Sequence, residues 1–152
     1  MQEIKFGRRI GTTIYNTGVV SRALSSQTFA EKGFELTPEQ FLVLDLVLEH
    51  GELYQRQICE ITLKDRGNVA RLIKILEDKE LIKKEEACCN SRRIFKITAT
   101  EKGKEMREKM LPTAVRLRDL LITDITEEEL EITLSTLKKV YENARPLVKL
   151  QI

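Results

Sequence analysis

The chain has 152 residues, 41% hydrophobic and 33% charged, with a formal net charge of +2. Those proportions fit one globular module and exclude a disordered chain. No apolar run nears the about 20 residues that span a bilayer, and the start, MQEIKFGRRIG, lacks a signal peptide's apolar core. The expected location is therefore the cytoplasm, with no membrane partner.

Residues 4–32 read as a long helix without Pro, with Phe6, Ile10, Ile14 and Leu24 near one face. Gly7, Gly11 and Gly18 each weaken an isolated helix by about 1 kcal/mol, so this helix needs tertiary support. Phe29 and Phe34 bracket a stop at Lys32-Gly33. Thr37-Pro38-Glu39-Gln40 is a helix start: Thr caps, Pro takes the first position and Gln completes a capping box. Phe41, Leu42, Leu44, Leu46, Val47 and Leu48 then make a buried helix that ends at His50-Gly51. His50, the lone histidine, sits where a helix C-terminus favours a cation.

Leu53 to Leu63 reads as a short helix with Ile58, Cys59 and Ile61 inward. After a turn at Lys64-Asp65 comes DRGNVARLIKILED, residues 65–78. Val69, Leu72, Ile73 and Leu76 form one buried stripe there, and Asp65 is its N-cap. Helix, tight turn, helix is the helix-turn-helix arrangement. Leu81–Glu86 reads as a strand, Ala87-Cys88-Cys89-Asn90-Ser91 as a polar tip, and Arg92–Thr98 as a second strand. A hairpin directly after the second helix is a wing. Thr98 with Glu101 offers a capping box for a helix to about Ile122, kinked at Pro112. Thr126 caps a last helix with a stripe of Leu130, Leu134, Leu137 and Tyr141, ended by Pro146. The predicted class is mainly α with a small β-hairpin wing. The winged helix-turn-helix core (residues 35–103) is flanked by helical segments (1–34 and 104–152) with no partner inside so small a core. A second copy of the chain would cover them.

The chemistry concentrates on the second helix of the pair. Its outer face carries Gly67, Ala70, Arg71 and Lys74, with Arg66 and Asn68 at its mouth. Small residues permit close approach, Arg and Lys suit phosphate or guanine, and Asn suits adenine. Residues 64–96 hold ten Lys or Arg against six acids, whereas residues 119–142 hold seven acids against two lysines. A basic middle points to a polyanion partner for that part alone. Asn68, Ala70, Arg71 and Lys74 are the candidates for the major groove. Arg92 and Arg93 are the wing candidates for the adjacent minor groove, and Gln55, Arg66 and Lys96 are candidates for phosphate.

Enzyme function is not expected, because glycine-rich phosphate loops, nucleophile elbows and metal signatures are missing. No cofactor or metal is implied. Three cysteines, an odd number in an expected reducing compartment, do not suggest a disulfide framework. Cys88 and Cys89, near Arg92 and Arg93, are candidates for oxidant sensing, since cations favour the thiolate. Cys59 reads as a small core hydrophobe.

Three motifs carry a family resemblance. Leu36-Thr37-Pro38-Glu39-Gln40-Phe41 is similar to an LTxxQ opening. Val69-Ala70-Arg71-Leu72-Ile73-Lys74-Ile75-Leu76-Glu77 is similar to a VxRLVxxLE recognition helix. Thr100-Glu101-Lys102-Gly103 matches a TEKG signature, with Ala99 where Leu is usual. In this order and spacing they resemble the MarR family of transcriptional regulators over nearly the whole chain. Arg93 matches the family's wing arginine, Ser91 replaces the acid that usually orients it, and Glu80 stands where Gly is common. The resemblance implies a homodimer that binds a palindromic operator in double-stranded DNA, represses, and lets go of DNA when a small aromatic or amphipathic effector acts. It implies an effector pocket drawing on Ile10, Ile14, Thr17, Phe41, Asp45, Met106 and Met110. Two alternatives are a thiol-based oxidant-sensing repressor using Cys88 and Cys89, and a winged-helix module that binds protein.

Overall fold

A computed structural model describes residues 9–89 and 92–149, and the side chains among them except those of Cys88, Cys89 and Arg92. Phe6 and Gly7 of the expected first helix, and Asn90-Ser91 of the expected wing tip, lie outside the described residues. The order is α1 (Ile10–Glu31), α2 (Pro38–His50), β1 (Glu52–Tyr54), α3 (Gln55–Thr62), α4 (Arg66–Asp78), β2 (Ile82–Cys89), β3 (Arg92–Ala99), α5 (Glu101–Leu121) and α6 (Glu127–Ala144). A 3-10 turn follows at Arg145–Leu147. None of the described helices is long and apolar enough to cross a membrane.

Local chemistry explains most boundaries. The α1 stop is a Schellman motif with Gly33 left-handed at φ 65°. Gly33 N–H donates to the Ala30 carbonyl at 3.0 Å and Phe34 N–H to the Phe29 carbonyl at 3.1 Å. The accompanying apolar contact is edge-to-face, with Phe29 and Phe34 centroids 5.3 Å apart. Thr37 and Gln40 form the expected reciprocal box at the start of α2. Val43, Leu44 and Val47 of α2 are sealed from solvent, with Ile58 and Cys59 of α3 and Val69 and Leu76 of α4. Truncating such a side chain, Leu76→Ala for example, leaves a cavity at a cost of about 2–5 kcal/mol.

Several expectations are corrected. Leu53 lies in a third strand, opposite Ile97 of β3, so the sheet order is β1-β3-β2. The helix begins only at Gln55, because Leu53 gains a ladder and a buried site in the core that an extra helical turn would not supply. Ile61 is exposed, not inward. The hairpin does not turn at Ala87, because the register continues through Ala87↔Ile94 to Cys89↔Arg92. Thr98 is a strand residue opposite Lys83. The α5 cap is Thr100, whose Oγ1 accepts from Gly103 N–H at 3.0 Å.

The outer helices divide differently. α5 runs on through Pro112 and buries Gly103, Met110 and Leu117, seven residues apart, against the core. α6 buries none of its side chains. Ile14, Val19 and Val20 of α1, with Leu134, Leu137 and Tyr141 of α6, leave large apolar surfaces open.

Candidate nucleic-acid interface

α4 is presented by its cap and its buried stripe together. Asp65 accepts Asn68 N–H at 2.9 Å and the Asn68 side-chain amide at 2.6 Å. The Asn68 backbone N–H, then its amide, hold the Asp65 carboxyl below the ordinary carboxylate range. Leu63, left-handed at φ 55°, closes the turn from α3. With Val69, Leu72, Ile73 and Leu76 buried, Arg66, Gly67, Asn68, Arg71 and Lys74 are left exposed on the outer face. Ala70 is half-buried at the edge of that face. Asn68 is committed to the cap, so reading adenine with it requires breaking or sharing that bond.

Three sequence-derived candidates converge on one notch. Gln55 at the start of α3, Arg66 at the start of α4 and Arg93 on β3 line a cavity of about 250 Å³, with Arg56, Ile94 and Phe95 beside them. Cys59 lies at its floor without solvent exposure. Burial pushes the Cys59 thiol up, against the opposing pull of Arg66. It therefore behaves as the core hydrophobe expected. Arg92, Cys88 and Cys89 belong to the wing strands, but their side chains lie outside the described residues.

The structure sets an acid beside three of these cations, Asp78 through helical i,i+4 spacing and Glu86 and Glu52 through strand pairing. Lys74 Nζ meets Asp78 at 2.7 Å, Arg93 Nε meets Glu86 at 3.0 Å and Lys96 Nζ meets Glu52 at 3.2 Å. The bonds to Asp78 and Glu52 raise the pKa of Lys74 and Lys96. Arg66 and Arg71 make no ion pair among the described residues. Exposed pairs of this kind are worth about 0–1 kcal/mol, so at Lys74 and Lys96 a phosphate can take the acid's place. Of the missed residues, Arg56 was legible through its i,i+4 partner Glu60. Glu86 required the hairpin register.

The expected effector residues are not gathered in one place. A cleft of about 430 Å³ opens between α1, α2 and α5, lined by Phe29, Phe41, Leu42, Asp45, Ala114 and Leu117 among others. Phe41 and Asp45 are expected residues that reach it. Met110 is fully buried in the core and Met106 packs against it. Ile10, Ile14 and Thr17 lie on exposed turns of α1. Arg107 donates to Asp45 and ties α5 to α2 beside the cleft.

Comparison with known proteins bears on the whole arrangement. A model of the MarR family matches residues 34–93. The regulator MhqR of Bacillus subtilis is 32% identical over 110 residues, 72% of this chain and 75% of that protein. The chain spans only 14% of a longer curated relative, which it matches over 71 residues. The crystal structure of the transcriptional regulator SlyA is 30% identical and superposes with a TM-score of 0.76, covering 87% of this chain and 93% of that one. Escherichia coli MarR, solved as a mutant complexed with operator DNA, shares the fold at a TM-score of 0.74, with 19% identity and coverage of 90% and 97%. The chain belongs to the MarR family of winged-helix transcriptional regulators.

Proposed function

We propose that the chain acts in the cytoplasm as a homodimeric repressor that reads a palindromic operator. The observation that carries this reading is the convergence of Gln55, Arg66 and Arg93 on one notch beside the exposed Arg71 and Lys74 of α4. α4 enters the major groove with Arg71, Lys74 and Asn68. The wing brings Arg93, with Arg92, to the adjacent minor groove. Gln55, Arg66 and Lys96 hold phosphates. That an Escherichia coli protein of like fold was solved in complex with operator DNA supports DNA as the ligand.

The dimer forms through segments 1–34 and 104–152, which flank the reading core of residues 35–103. The open apolar faces of α1 and α6 support that assembly, since a monomer rarely leaves so much uncovered. A small aromatic or amphipathic effector settles in the cleft between α1, α2 and α5. Its apolar lining, with Asp45 and Arg118 as polar contacts, supports such a ligand.

Selection from a random duplex pool tests the reading, with sedimentation run in parallel. An enriched inverted repeat, bound by a species of twice the chain mass, is expected. Loss of enrichment, or a monomer bound to a single half-site, would overturn it.

A further inference from the structure

We infer that Glu86 is a positioning residue, the one that aims Arg93 at DNA. This rests on the operator-reading function above. Along a β-ribbon successive side chains alternate faces, and the register puts Glu86, Arg93 and Phe95 on one face of β2–β3. Glu86 stands directly opposite Phe95 and diagonal to Arg93. Its Oε1 is 3.0 Å from Arg93 Nε. One step nearer the core, Lys84 Nζ sits 4.0 Å from the centroid of the Phe95 ring. The wing thus carries an ordered row in which Glu86 lies between an anchored aromatic and the arginine.

The pair does little for stability. The side chains are 84% and 53% exposed, and such pairs contribute about 0–1 kcal/mol. By charge alone, a carboxylate on a DNA-facing surface weakens attraction to phosphate. What it does supply is direction. The carboxylate sits on the Nε side of the guanidinium and leaves the donors on the terminal nitrogens for the groove. A long, otherwise mobile side chain is biased toward one orientation before DNA arrives, which cuts the ordering cost of binding. Glu86 is therefore expected to favour the operator over other DNA while lowering affinity for DNA in general.

The opposed signs make the inference testable. Fluorescence anisotropy would compare the selected duplex with a scrambled one for the parent, Glu86→Ala, Glu86→Gln, Arg93→Ala and the Glu86→Ala/Arg93→Ala double variant. Thermal melts would confirm folding. We expect Glu86→Ala to lose roughly 2- to 5-fold on the selected duplex, part of the loss expected for Arg93 itself, and to gain or hold on the scrambled one. Glu86→Gln, which keeps an acceptor, should recover part of the loss. The double variant should be no weaker on the selected duplex than Arg93→Ala. A rise on both duplexes with Glu86→Ala would make Glu86 a plain repulsive charge and overturn the inference. So would an equal loss from Glu86→Ala with or without Arg93. A parent that binds both duplexes alike would instead remove the operator-reading function, and this inference with it.

Discussion

Gly103 rests directly on the carbonyl of Leu81. A Cβ built on Gly103 would fall within 3 Å of that oxygen, closer than real Cβ contacts come. The same carbonyl accepts Thr100 N–H at 3.0 Å, and Thr100 Oγ1 donates to the Glu80 carbonyl at 2.7 Å. The start of α5 is thereby fastened to the turn that ends α4. Gly→Ala in an exposed helix gains about 1 kcal/mol. Here the clash with backbone reverses the sign, and Gly103→Ala is expected to cost about 1–3 kcal/mol net. Urea unfolding measures it; a stabilised variant would mean the contact is loose.

Glu80 makes the opposite prediction. It is left-handed at φ 61°, closing α4 as the αL residue of a Schellman motif, with Leu81 N–H donating to the Leu76 carbonyl at 2.9 Å. A non-glycine residue there costs on the order of 1 kcal/mol. The pair of Glu80 with Lys102 at 3.2 Å is exposed and offsets little of that. Glu80→Gly should raise stability by about 0.5–1 kcal/mol, read as a higher urea midpoint at unchanged slope.

The cap of α4 sets an acid limit on stability. The Asp65 carboxyl has a lowered pKa because it accepts from Asn68. A lowered folded-state value contributes stability that is present above the unfolded value, near 3.8, and is lost as pH falls through the folded one. Asp65→Asn keeps a cap and should flatten that part of the acid limb. Asp65→Ala should lower the neutral-pH melting temperature by roughly 2–4 °C. Melts from pH 2 to pH 7 (a range set by ordinary carboxylate values) distinguish the two variants.

Phosphate and base contacts should separate in binding. Arg93→Ala and Arg71→Ala are each expected to weaken operator binding by about 1–3 kcal/mol and to relax preference at particular base pairs. Arg66→Ala should weaken all sequences alike and reduce the salt slope by about 1. Titrations of operator and scrambled duplexes at several salt concentrations decide between these roles.

The parts of the fold that local chemistry dictates were legible. The caps at Thr37, Asp65 and Thr126 and the stripe Val69, Leu72, Ile73 and Leu76 stand where the sequence puts them. The left-handed Glu80 was visible only through the family resemblance, as a residue where the family commonly has a glycine. What was hidden depends on partners distant in sequence. β1 has only three residues and exists because Leu53 pairs with Ile97. Thr100 outcompetes Thr98 as the cap because Thr98 is already spent in the ladder. At the interface, spacing shows the cations and the i,i+4 acid Asp78, but not Glu86, which meets Arg93 only through the hairpin register. The effector residues came from the family resemblance, which does not tell core from cleft in this chain, and Met110 is fully buried in the core.

The most direct test is anisotropy of the parent protein on its selected duplex and on a scrambled one, from about 50 to about 200 mM salt. Reading through α4 and the wing predicts binding at least about 10³-fold tighter to the selected duplex near physiological salt, with affinity for both falling steeply as salt rises. Equal affinity for the two at every salt concentration would contradict it.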